Sequence, residues 1–175
     1  MSDLESKPPI IYHNAKHDHN ARSAKNRNVI ISILKADYRF CDRMEDCDIF
    51  LNFFEPGSWQ AVDDLYKAWD LNVNRVITIN SIIGDWIYSP RYPARISSIQ
   101  SKAVSIANSQ LYFDGLNCTN LILGEWEDGR NNPEEYRLIR IVDVMKTLEY
   151  VMDHNWIKEM TIMAGKNRRE MKTQG

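Results

Sequence analysis

His13, His17, Asp18 and His19 crowd one short stretch in the spacing His-x-x-x-His-x-His. Imidazoles at that spacing can bind zinc, but a zinc centre needs a fourth ligand held in place. In so polar a stretch the same pattern reads as a solvated loop, and no metal is expected. A second set is cationic: Lys16, Arg22, Lys25 and Arg27 near one end, Lys166, Arg168, Arg169 and Lys172 near the other. If the ends meet, these side chains would make a phosphate-contacting surface. The whole chain argues against nucleic acid, because Lys+Arg 22 against Asp+Glu 24 leaves a net charge of −2. A third set is aromatic. Trp86, Tyr88 and Tyr92, set among Pro90 and Pro93, can stack on a ligand ring or a partner, or simply cover the edge of a core. Cys41, Cys47 and Cys118 form no CxxC pair and no even framework, so reduced thiols and a cytoplasmic location are expected. The sequon Asn117-Cys118-Thr119 is then incidental.

The elements that must position these groups come from apolar periodicity. The 175 residues suffice for one core. Ile10, Ile11 and Tyr12 suggest an edge strand after a polar lead. The continuous apolar run over 29–34 reads as a strand covered on both faces, and 48–53 as a second. Glu55-Pro56-Gly57-Ser58 is a turn whose serine can cap a helix over 59–71, with Val62, Leu65, Tyr66 and Trp69 inward and Asp63, Asp64 and Lys67 outward. A strand over 75–80, a long helix over 94–113 stopped by Gly115, and a strand over 118–123 follow. The long helix is apolar at Ile96, Ile99, Ala103, Ile106, Ala107 and Leu111. Pro133 opens another helix, with Leu138, Ile141, Val142, Val144, Met145 and Leu148 on its buried side, before a strand over 158–163 and a basic tail. Short strands alternating with longer helices predict a parallel sheet with crossover helices. No apolar run is long enough to span a membrane, and the polar start lacks the apolar core of a secretory signal.

Thr78-Ile79-Asn80-Ser81-Ile82-Ile83-Gly84, then Ser101-Lys102 at the head of an apolar helix, then Leu123-Gly124 at the end of the next strand, resemble the catalytic half of the short-chain dehydrogenases/reductases. The likeness runs over 47–163. Asp48-Ile49-Phe50-Leu51-Asn52 is similar to the family strand ending in Asn-Asn-Ala-Gly, of which Asn52 alone is kept. Ser81-Ile82-Ile83-Gly84 matches the family's Ser-x-x-Gly, and Ser101-Lys102 the close of its Tyr-x-x-Ser-Lys. Leu123-Gly124 stands where the family has Pro-Gly. The resemblance implies an α/β, reduced Rossmann-like three-layer sandwich with a mainly parallel sheet of five or six strands. It places that domain at 29–165, between a polar and basic segment at 1–28 and a basic tail at 166–175. It also implies Ser81 as an orienting hydroxyl, Lys102 as a ribose-binding ammonium, and Asn52 beside the cofactor.

The chain departs from that pattern in two places. Ser98 stands four residues before Lys102, where the family has tyrosine. A phenol of reference pKa about 10 can be lowered by a neighbouring ammonium until it exchanges a proton with a carbonyl or alcohol, whereas an aliphatic hydroxyl is far less acidic. Tyr92 is the candidate substitute, although ten helical residues span roughly 15 Å, so it meets Lys102 only if the Pro93 segment folds back. The other departure is that no glycine precedes Gly57, while the family opens on a glycine-rich turn that lets the backbone approach a cofactor diphosphate. The expectation is a non-catalytic descendant with no cofactor, acting by binding or as a homo-oligomer through the 94–113 helix. The alternatives are an NAD(P)-dependent oxidoreductase using Ser81, Tyr92 and Lys102, with NAD or NADP held elsewhere, and a nucleic-acid-associated accessory protein using the basic ends.

Overall fold

The structure, a computed structural model, describes residues 7–15, 22–84, 96–124, 126 and 139–164. They build a six-stranded sheet in the order β2-β1-β3-β4-β5-β6, parallel at every ladder. The strands are β1 (Ile10–His13), β2 (Arg39–Phe40), β3 (Ile49–Phe53), β4 (Val76–Ser81), β5 (Cys118–Leu123) and β6 (Glu159–Ile162), and the helices are α1 (Arg22–Leu34), α2 (Gln60–Asp70), α3 (Ile96–Phe113) and α4 (Ile141–Asp153). On one face Leu51, Ile77 and Leu121 meet Ile30 and Leu34 of α1 and Leu148 and Val151 of α4. On the other, Phe50, Val76 and Cys118 meet Leu65 and Ala68 of α2 and Val104 and Leu111 of α3. Alternate residues of each strand serve alternate faces, which is why β3, β4 and β5 read as unbroken apolar runs.

Three expectations are corrected. The run over 29–34 is the second half of helix α1, not a strand. Its buried residues, Arg27, Ile30, Ile31 and Leu34, keep an i, i+3, i+4, i+7 stripe, while Ile33 is exposed. A buried arginine in that stripe hid the helical period. Ile10–His13 is not an edge strand, because β2 pairs on one side of it and β3 on the other. The inward face of α2 also differs. On α2 the buried residues are Ala61, Asp64, Leu65 and Ala68, while Tyr66 and Trp69 stand in solvent. On α3 Ser98, Gln100, Ser101, Val104, Ala107, Asn108 and Leu111 face inward and Ile96, Ile99 and Ile106 outward. Small and hydrogen-bonded residues let these helices lie close to a sheet face that carries Asn52, Thr78, Asn80 and Asn120.

The predicted helix start at Pro133 and the tail from Lys166 lie outside the described residues; α4 begins at Ile141, after Arg140 in an extended conformation. Relative to a doubly wound order 3-2-1-4-5-6, the six strands are distributed differently, two instead of three on the β1 side and four instead of three on the β3 side. From β2 the chain returns over a single 3-10 turn at Met44–Asp46, packed on the α2 face, straight into β3. The first strand–helix–strand unit is therefore present, and the β1 side ends at β2.

Candidate functional site

Of the groups singled out from the sequence, Ser81 and Ser101-Lys102 meet at the carboxyl end of β4, the side on which open α/β sheets present their ligand sites. Ser81 ends β4 and is half-buried. Its amide donates to Asn80 Oδ1 at 2.8 Å, and its Oγ accepts the Ile83 amide at 3.3 Å. The Ser101 hydroxyl lies 2.8 Å from the Ser81 carbonyl oxygen and 2.9 Å from Asn80 Oδ1, sharing one proton between two acceptors. Asn80 Nδ2 donates to the Ser101 carbonyl at 3.0 Å and to Ser105 Oγ at 3.1 Å. A turn of strand and a turn of helix are thus locked together through one asparagine.

Gly84 seats the following turn on α3. A Cβ there would lie 2.8 Å from Ser101 Oγ and 3.1 Å from the Lys102 backbone nitrogen, so only glycine allows the approach without a shift. Ser81-x-x-Gly84 and Ser101-Lys102 are accordingly brought side by side, with Lys102 half-buried. Ser98, one helical turn before Lys102, is buried at 4% exposure. Tyr92, with Trp86 and Tyr88, lies outside the described residues.

Asn52 is fully buried under α2. Its Nδ2 donates to the Ala61 carbonyl at 2.9 Å and reaches Thr78 Oγ1 at 3.4 Å, and its Oδ1 accepts from Asn14 Nδ2 at 2.7 Å. Its polar atoms serve strand and helix contacts.

Four further residues, Asn14, Asp64, Arg27 and Glu55, are joined in pairings that the sequence reading did not find. Asn14, just past β1, also donates to Asp64 Oδ2 at 2.8 Å and accepts the Phe53 amide at 2.8 Å through Oδ1. Arg27 of α1 donates to Glu55 at 3.1 and 3.3 Å, and its side chain is only 7% exposed. Arg27 therefore belongs to a partly buried ion pair and not to a basic surface. These pairings join residues 28 to 50 positions apart, so no local spacing signals them. The buried α1 stripe that includes Arg27 was the one available clue.

Burial followed by the Asp64 carboxylate raises the Tyr12 phenol above its ordinary value. Burial likewise pushes the Cys47 and Cys118 thiols up to about 12. His13 lies edge-on to Phe40, ring centroids 5.7 Å apart. Among the described residues no three His, Cys, Asp or Glu side chains are grouped to hold a metal ion; His17, Asp18 and His19 lie outside them. No described helix is long and apolar enough to cross a membrane.

With the sheet order and the strand-end geometry in place, the comparison with solved structures is informative. The chain is similar to the Bordetella bronchiseptica enzyme WbmG, solved in complex with NAD, at TM-score 0.61 and 8% identity, over 98% of this chain and 77% of that one. It is similar to an apo SCOR enzyme from Clostridium thermocellum at TM-score 0.60 and 10% identity, over 90% of each chain. A putative NAD-dependent epimerase/dehydratase from Bacillus halodurans matches at TM-score 0.55 and 12% identity, over 95% of this chain and 99% of that one. The chain has a Rossmann-like fold. At these identities the likeness establishes architecture alone. No protein-family model matches the chain, and no curated protein matches it in sequence.

Proposed function

We propose that the chain is a non-catalytic, short-chain-dehydrogenase-like protein that acts by binding, and first by self-association through α2 and α3. One observation carries this reading: both helices expose apolar stripes on the same outer face. On α3, Ile96, Ile99, Ile106 and Phe113 stand outward, with Ile106 59% and Phe113 76% exposed, and Ala103 lies between them at helical spacing. Beside it, Trp59, Tyr66 and Trp69 project from α2 and the turn before it, with half-buried Val62 among them. Contiguous apolar surface of this kind marks an interface more often than chance exposure. Paired helices bearing 3-4 spaced stripes are suited to pack against a second pair as a four-helix bundle. A copy of the same chain offers a matching surface under two-fold symmetry.

Ser98 supports the non-catalytic part. It sits where the resemblance calls for a phenol, and both its aliphatic hydroxyl and its burial tell against proton exchange with a bound carbonyl. The close seating of Gly84 on Ser101 and Lys102 favours the second reading, an NAD(P)-dependent oxidoreductase that uses Ser81, Tyr92 and Lys102.

Light scattering tests the first reading. The wild-type chain is expected at twice its own mass, and the Ile99→Glu/Ile106→Glu double variant at the monomer mass with unchanged circular dichroism. A monomeric wild type at about 100 μM, well above the Kd of an ordinary specific interface, overturns it. Consumption of NADH or NADPH with a carbonyl substrate would instead establish the second.

A further inference from the structure

We infer that the crevice in which a doubly wound sheet receives a dinucleotide is laced shut by this chain's own side chains, the Glu55 carboxylate standing where an anionic ligand would be held. This deepens the reading of a fold without its reaction, and rests on that reading for the identity of the excluded ligand.

The crevice of such a sheet opens where the strand order reverses. Here that point lies between β1 and β3, since β1 leads outward to β2 and β3 leads the other way to β4. The helices that follow them diverge, α1 to one face and α2 to the other, and a ligand would enter the gap between the two departing segments.

Two ties cross that gap in opposite senses. Asn14, the first residue beyond β1, is bound to the β3 side: to the Phe53 amide at 2.8 Å, to Asn52 Oδ1 at 2.7 Å and to Asp64 Oδ2 of α2 at 2.8 Å. Glu55, two residues beyond β3, is bound to the β1 side, its carboxylate taking the Arg27 guanidinium of α1 at 3.1 and 3.3 Å. Each departing segment is fastened to the helix that belongs to the other.

Charge and backbone work in the same direction. A diphosphate entering this gap would face the Glu55 and Asp64 carboxylates, and would have to displace a carboxylate from a guanidinium only 7% exposed. Displacing it sets the freed Glu55 carboxylate beside the incoming diphosphate, like charge against like, a repulsion that a ligand would have to overcome. The connection after β1, residues 14–21, carries a Cβ at every position, because the first glycine is Gly57. The residue type that lets phosphate approach backbone amides closely is therefore missing from this connection.

The experiment uses the full wild-type chain and an Asn14→Ala variant. Thermal shift and calorimetric titration with NAD, NADH, NADPH and ADP are run to about 5 mM, beyond the roughly micromolar-to-millimolar range of ordinary substrate affinities. No saturable shift or heat is expected from the wild type; saturable binding of ADP, or of a dinucleotide that ADP competes away, overturns the inference. Hydrogen exchange is read at the Phe53 amide. In Asn14→Ala it should quicken up to roughly tenfold, the loss of one hydrogen bond, while β4 and β5 keep their protection. An unchanged Phe53 rate shows that Asn14 does not tie the gap and overturns the lacing. The two readings fail separately: a dimer that binds NADH ends the closed crevice and leaves the docking face, whereas a monomer that binds none does the reverse.

Discussion

At the scale of single residues, the buried thiols give the clearest chemical consequence. Cys47 and Cys118 are buried and Cys41 is half-buried, and burial pushes the first two up to about 12. A thiol that is both covered and protonated is a poor nucleophile. Cys41 should therefore be alkylated first by iodoacetamide at pH 8, with Cys47 and Cys118 modified only after unfolding, which peptide mass mapping will read. The same groups set a pH dependence. Between about pH 9 and 12 the unfolded chain releases thiol protons that the folded chain keeps, so the unfolded state binds fewer protons and stability falls as pH rises. The contribution is whole below about pH 9, and each thiol adds a slope of up to about 1.4 kcal/mol per pH unit inside that window. Cys118→Ala should flatten the fall in denaturant-derived stability from pH 9 to 11, and an unflattened slope would show that burial leaves this thiol near its ordinary value. Ser81 and Lys102 could be picked out beforehand because a motif spaces them locally. Asn14, Arg27, Glu55 and Asp64 could not, since their meaning lies in partners supplied by other elements.

At the scale of elements, α3 was legible as a helix, while which of its sides meets the sheet was left open. Ile96, Ile99, Ile106 and Phe113 face outward, and the stripe facing the sheet mixes Val104, Ala107 and Leu111 with Ser98, Gln100, Ser101 and Asn108. The polar members are tolerated because the facing strands are polar at matching positions. Thr78 Oγ1 lies 3.1 Å from Asn108 Oδ1, Asn80 serves Ser101 and Ser105, and Asn120 Nδ2 reaches Ser105 Oγ at 3.0 Å and Glu159 Oε2 at 3.1 Å. Periodicity marks an apolar stripe without saying what covers it, and only a count of buried polar partners on the strands could have decided it. The network makes Asn80 the residue whose loss should cost most at the site. Asn80→Ala would leave the Ser81 amide and the Ser101 carbonyl without their side-chain partner at a buried contact, where each unsatisfied group costs about 1–3 kcal/mol. A destabilisation of roughly 2 kcal/mol or more is expected in urea unfolding. A change below about 0.5 kcal/mol would mean that the helix is held by its apolar contacts alone.

At the scale of the whole molecule, the alternation of strand and helix from residue 48 onward was legible and matches the structure. The opening third was not, because a buried arginine broke the period of α1 and a four-residue strand gave too short a signal to place inside the sheet. What the completed sheet adds is asymmetry. Among the described residues each face is covered by two helices, and α2 and α3 also carry an apolar stripe on the far side. If that stripe is covered by a second copy, folding and association are coupled, and the melting temperature must depend on concentration. Dilution from about 100 μM to about 1 μM removes roughly 2.7 kcal/mol of association free energy per dimer, which for chains of this length lowers Tm by a few degrees. The Ile99→Glu/Ile106→Glu variant, whose carboxylates would face each other across the joint, should melt at one temperature at both concentrations. Equal melting temperatures for the wild type at the two concentrations would show that the stripes stay in solvent, and the docking role would have to be abandoned.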